Sequence, residues 1–214
     1  MSHAFDLTVM YAMHDALRRE LVHLDRVTTA ADRDARQVLA GAAGWSLFKK
    51  ALRAHHAAED AALWPPLRRN LAGRPRDLAL LEVMEVEHAA LATVIRAVDD
   101  ALTDPWADSG TDVSQLTDAL TRGLAGHLRH EEEAALPLIR QALTYEQWSH
   151  FTRVHAHHID RDAPLLLPWL LDGADEPTTR RLLSRLPAPV YAACTARWIP
   201  AYALLDRWSP VPAA

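Results

Sequence analysis

Cysteine is nearly absent from this chain of 214 residues: Cys194 is the only one. An intramolecular disulfide and any site built from several thiolates are thereby excluded. Glycine is scarce, with seven, and the β-branched residues that suit strands are few, with four Ile and 12 Val. Long apolar runs are missing as well. The longest nearly unbroken one, Ala163 to Leu171, has nine residues and two prolines, well short of the ~20 that span a bilayer. No basic segment followed by an apolar one opens the chain, so no signal peptide is expected and a cytoplasmic location is. A basic excess is also lacking: the net charge of −5 argues against a protein that coats nucleic acid or an anionic membrane. What the sequence has in quantity is 39 Ala and 32 Leu, both strong helix formers, and 12 His. This balance predicts an all-α protein, long enough to bury a core without crosslinks.

Four stretches repeat their apolar residues with helical spacing. The first, over about 4–27, aligns Leu7, Met10, Tyr11, His14, Leu17 and Leu21, with Tyr11 expected in the core. The second, over 31–71, aligns Phe48, Leu52, His55, Glu59 and Leu63 and is expected to bend at Pro65-Pro66. The third, with Asp77 read as its N-cap, aligns Leu81, Met84, His88, Leu91 and Ile95. A loop rich in turn formers over 103–111 leads to the fourth, which aligns Leu120, Leu124, His127, Glu131 and Leu138. Four amphipathic helices with short connections predict an antiparallel up-down-up-down bundle over 1–143.

From Thr144 the character changes. Thr144 and Gln147 form a capping box for a fifth helix to about 161. The stretch 163–173 reads as an irregular apolar segment, followed by a helix near 178–186 and a last one from Pro189 to about Trp208. Four of the seven Trp lie here. Residues 144–214 are therefore expected to form a helical extension that packs on the bundle or pairs with a second copy of the chain.

An internal repeat organises the histidines. His55-x3-Glu59 and His127-x3-Glu131 lie 72 residues apart, as do Pro65 and Pro137, while His14 and His88 lie 74 apart. The chain thus reads as two hairpins, each giving one His from its first helix and a His-x3-Glu pair from its second. Residues i and i+4 share a helix face, so each pair can reach one centre. Neutral imidazole ligates iron, zinc or copper, and a carboxylate can bridge two cations. Six donors are few for two separate sites but suffice for a dinuclear one, bridged by both glutamates and an oxo or hydroxo group, with a position left open on each ion. Zinc or manganese would fit the same donors. The helical face selects the register: His55 follows Phe48 and Leu52, whereas His56 follows Lys49 and Arg53, so His56 and Asp60 are expected in solvent. His3, His23, His130 and His150 are read as surface residues, His155, His157 and His158 as solvent-facing or packing, and Glu132 and Glu133 as a solvated face.

At these residues the sequence resembles the hemerythrin-like (HHE cation-binding) family over about 5–143. His14, His55, Glu59, His88, His127 and Glu131 match that family's His, His-x3-Glu, His, His-x3-Glu/Asp pattern. The resemblance implies an antiparallel four-helix bundle holding a non-haem di-iron centre, with Glu59 and Glu131 as the bridging carboxylates. The oxygen carriers of the family have a further histidine four residues from the third-helix ligand; here those positions are Met84 and Ala92. Reversible oxygen carriage is therefore less expected than binding, sensing or reduction of dioxygen, peroxide or nitric oxide. A reading from another class is a metal-stabilised helical interaction module without catalysis, whose Trp-rich extension binds a partner. No hydrolase triad, His-Glu-x-x-His or phosphate-binding glycine motif is present.

Overall fold

The computed structural model describes residues 5–29, 35–103 and 113–209, and every regular element among them is helical. The first strut of the bundle is α1 (Thr8–Thr29). The second is broken twice, into α2 (Ala35–Gly41), α3 (Ala43–Ala62) and α4 (Trp64–Asn70). Ala42 is extended, which ends α2. The expected bend falls just ahead of Pro65-Pro66, at Leu63, so that both prolines occupy the first turn of α4, where a missing N–H costs nothing. The third strut is α5 (Pro75–Thr103), which starts at Pro75 rather than after Asp77. The turn-rich loop lies, beyond Thr103, outside the described residues. The fourth strut is α6 (Val113–His130), a π-helical turn over Glu131–Ala135, and α7 (Leu136–Ala142). Pro65 and Pro137 each stand six residues beyond a repeat glutamate; the first hairpin absorbs its proline by a break, the second by the π turn that precedes it.

The order of buried residues along each strut shows the antiparallel arrangement. Met10 on α1, Leu63 and Trp64 after α3, Met84 on α5 and Leu136 on α7 form one apolar core. Leu17 and Leu21 on α1, Phe48 and Leu52 on α3, Leu91 and Val98 on α5, and Leu120 and Leu124 on α6 form another. Between these cores, at the level of His14, His55, His88 and His127, the apolar stripes give way to polar side chains, all buried. In this polar layer burial by itself gains nothing.

The remaining chain wraps the bundle. α8 (Tyr145–Ile159) opens with the expected capping box of Thr144 and Gln147 and packs along α3. The stretch expected to be irregular is instead helical, as α9 (Ala163–Leu171). Pro164 sits in the first turn of α9, and Pro168 forfeits one hydrogen bond inside it, a cost that the burial of Leu166, Trp169 and Leu170 offsets. α10 (Glu176–Leu183) and α9 both contact α1. The last helix is shorter than expected: α11 (Ala188–Ala193), a π turn over Cys194–Trp198 and α12 (Ile199–Ala203) end before Trp208. Trp208 packs against α3 at Gly44, whose amide donates to the Arg207 carbonyl at 2.6 Å; a Cβ there would come within 2.5 Å of the indole.

Candidate metal centre

Each residue singled out by the repeat arrives in the polar layer because it continues an apolar stripe. His14 follows Met10, His55 follows Leu52, His88 follows Met84, and His127 follows Leu124, and all are buried. The four imidazoles and two carboxylates are brought together. His14 Nε2 lies 3.2 Å from Glu131 Oε2 and 3.3 Å from His55 Nε2. His127 Nε2 lies 3.9 Å from the same Glu131 oxygen. Glu59 stands between the other two imidazoles, Oε1 at 3.5 Å from His55 Nε2 and Oε2 at 3.5 Å from His88 Nε2. Each glutamate therefore spans from one hairpin's ligand candidates to the other's.

The opposite ring nitrogens are held by acidic side chains, two of which, Asp60 and Glu132, were expected in solvent, while the third, Glu87, carried no expectation. Glu132 accepts from His14 Nδ1 at 2.8 Å and is gripped by both Arg18 nitrogens, at 2.9 and 2.7 Å. Asp60 faces His88 Nδ1 at 2.9 Å. Glu87 takes His127 Nδ1 at 2.8 Å and His130 Nδ1 at 2.9 Å. Such carboxylates fix the tautomer and aim the Nε2 lone pair inward, the arrangement found around metal-bound histidines. A signal was available: each repeat glutamate is followed by a second acid, Glu59-Asp60 and Glu131-Glu132.

His56 is the main departure from expectation. Instead of facing solvent, its ring stacks on His88, with centroids 3.8 Å apart and planes 10° apart, and meets His127 edge-on at 5.3 Å. His56, His88 and His127 each offer an atom within 4.8 Å of the others, and so do His14, His55 and Glu131. The equivalent position in the second hairpin is Leu128, so the repeat is asymmetric here. Tyr11, expected in the core, is instead 42% exposed. His155 is buried and sits edge-on to His55 at 6.1 Å, while His157, His158 and His150 are exposed. His3 lies outside the described residues.

The donor atoms fit a cation. The Nε2 atoms of His56, His88 and His127 and both oxygens of Glu59 and Glu131 are buried without a hydrogen-bond partner. Orphaned buried groups on this scale are rare in proteins and each costs about 1–3 kcal/mol unless something satisfies it. Burial and the neighbouring histidines hold His55 and His56 well below the usual imidazole range, and burial lowers His127, so these rings are neutral, the form that ligates. Burial and the nearby Glu131 push Glu59 well up. Burial raises Glu131 too, but His14 and His127 outweigh it and bring it below its ordinary value. For His14, burial is overcome by Glu131 and Glu132, which raise it to about 9. A cation in the layer would take over the charge that this proton now supplies.

A profile described as the hemerythrin HHE cation-binding domain matches residues 6–139, the bundle with all six residues of the repeat pattern. No curated protein and no solved structure matches the chain.

Proposed function

Because the chain belongs to the hemerythrin HHE cation-binding family, we propose that its polar layer holds two iron ions and that the loaded protein binds, senses or reduces dioxygen, peroxide or nitric oxide. The placement of the two glutamates supports this reading most directly. Each lies beside one member of each donor group, as a carboxylate shared by two ions must. Iron bound by these residues would supply electrons and coordination for a small ligand, shared between two metals. The protein's own part is to orient and to exclude water. Glu132, Asp60 and Glu87 hold the Nδ1 atoms of His14, His88 and His127. The two flanking apolar cores keep bulk solvent out of the layer. His56 joins His14, His55, Glu59, His88, His127 and Glu131 as a seventh donor, giving three imidazoles on one side and two on the other.

The test is a metal count with a visible spectrum. Two irons per chain and charge-transfer absorption are expected. His55→Ala and Glu131→Ala should lower metal content and melting temperature together, and His56→Ala should lower metal content by up to one ion per chain. A colourless protein with one zinc would overturn the di-iron reading in favour of a metal-stabilised helical module. That alternative draws less support from the fold, because Trp148 and Trp169 of the extension are buried inside this chain, not presented to a partner.

A further inference from the structure

A cavity of about 660 Å³ lies between the bundle and the C-terminal helices. Its walls come from both: Val9 and Met13 on α1, Phe151 on α8, Leu167 and Leu170 on α9, and Leu182 on α10. That volume is typical of sites for organic molecules and far exceeds what a diatomic gas or peroxide needs, since a water molecule occupies about 30 Å³. Of the polar side chains that line it, among them Asp6, Ser149, Thr152, Arg153 and Arg185, only two are buried. One is His55, the candidate ligand, so cavity and polar layer meet at a single side chain. The other is His155, only 7% exposed, whose Nε2 has no hydrogen-bond partner. An unpartnered imidazole nitrogen in an apolar wall costs stability unless a bound molecule supplies the missing hydrogen bond. Packing alone does not explain its presence, because a phenylalanine would fill the same space without the penalty.

We propose that this cavity binds an organic molecule with an extended apolar body and a single hydroxyl group, the hydroxyl meeting His155 Nε2 beside His55. The apolar wall recognises the body by burial, and the one orphaned nitrogen fixes which end points toward the polar layer. That this molecule approaches bound metal rests on the metal-centre reading; its binding to the cavity does not.

The experiment is calorimetric titration of the purified, metal-loaded protein with octan-1-ol, with metal per chain measured on the same samples. Saturable binding of one molecule per chain is expected. His155→Phe, which keeps the bulk and removes the nitrogen, should weaken it about tenfold, the worth of one buried hydrogen bond. Val9→Trp and Leu167→Trp change half-buried wall positions that tolerate bulk, and each should weaken binding at least tenfold by filling the cavity. All three variants should retain metal, which also reports that they fold. Absence of binding, or binding indifferent to both tryptophan variants, would overturn the proposal. If octan-1-ol binds as expected to a protein that takes up no iron, the cavity stands and the metal-centre reading fails; metal without octan-1-ol binding is the reverse result.

Discussion

Two buried carboxylate sites on the same bundle are built on opposite principles. Glu20, on α1, is 1% exposed. It accepts from Arg207 at 2.7 Å, from Trp208 Nε1 at 2.8 Å and from Arg19 at 3.2 Å. Arg19 and Arg207 also bind Asp172 and the carbonyls that end α9, so the site is a closed network tying the tail of the chain to the bundle. Glu59 is equally buried, yet neither of its oxygens has a partner. Both sites bury a carboxyl group, but only at Glu20 do the protein's own groups satisfy it. The difference teaches how to tell a clasp from a binding site: completeness of hydrogen bonding, not burial or residue type, separates them.

Replacing each carboxylate with a leucine should therefore give effects of opposite sign. Glu20→Leu leaves Arg207, which is 11% exposed at its side chain, with Asp172 as its remaining carboxylate partner, and leaves Trp208 Nε1 without its acceptor. The expected cost is about 2–3 kcal/mol, a fall in melting temperature of roughly 8 °C for a chain of this size. Metal per folded chain should not change. A loss below about 1 kcal/mol would show that the tail is not held by this network.

Glu59→Leu is the counterpart. In metal-free protein it removes an unsatisfied carboxyl from the interior, so stability should rise by about 1–2 kcal/mol. With iron supplied, the order should reverse, because the wild type gains binding free energy that the variant has lost. Thermal melts of both proteins with and without iron check this crossing. A Glu59→Leu protein less stable than wild type in both conditions would make Glu59 a structural residue like Glu20.

The two sites were not equally legible. Glu59 and Glu131 announce themselves because helical spacing, the 72-residue repeat and the apolar stripe all converge on them. Local pattern suffices there, since each helix carries its own share of the layer. Glu20 gives no such signal, because its partners Arg207 and Trp208 lie 187 and 188 residues away along the chain. His56 escaped for a different reason. Lys49 and Arg53 mark its sector of α3 as polar, but His88 on α5 stacks over that sector, and a single-helix face test cannot see a neighbouring helix. The prolines of α9 misled in turn: Pro164 stands in the first turn, where a breaker breaks nothing, and the burial of Leu166, Trp169 and Leu170 offsets the bond that Pro168 forfeits inside the helix.

The smallest effect sharpens the comparison at its exposed end. Asp6, just ahead of α1, accepts from the Thr8 amide at 2.8 Å and pairs with Arg185 and, at 3.6 Å, with Arg181. It ties the start of α1 to Arg181 of α10 and to Arg185 just beyond it, as Glu20 ties the middle of α1 to the tail, but with solvent at hand. Partial burial raises its carboxyl, and the Thr8 hydrogen bonds with the two arginines outweigh that, leaving it below its ordinary value. A group lowered in the folded state adds stability above its unfolded pKa of about 4 and loses it as pH falls through the folded value. Asp6→Asn keeps the oxygen that caps Thr8 and removes only the charge, so at neutral pH it should cost roughly 0.5 kcal/mol, reduced by solvent screening. Added salt should shrink that difference, and denaturation curves of the two proteins should converge as pH drops below the carboxylate range. A difference that persists in acid would mean that Asn disturbs the turn itself, and that the ion pairs with Arg181 and Arg185 contribute nothing measurable.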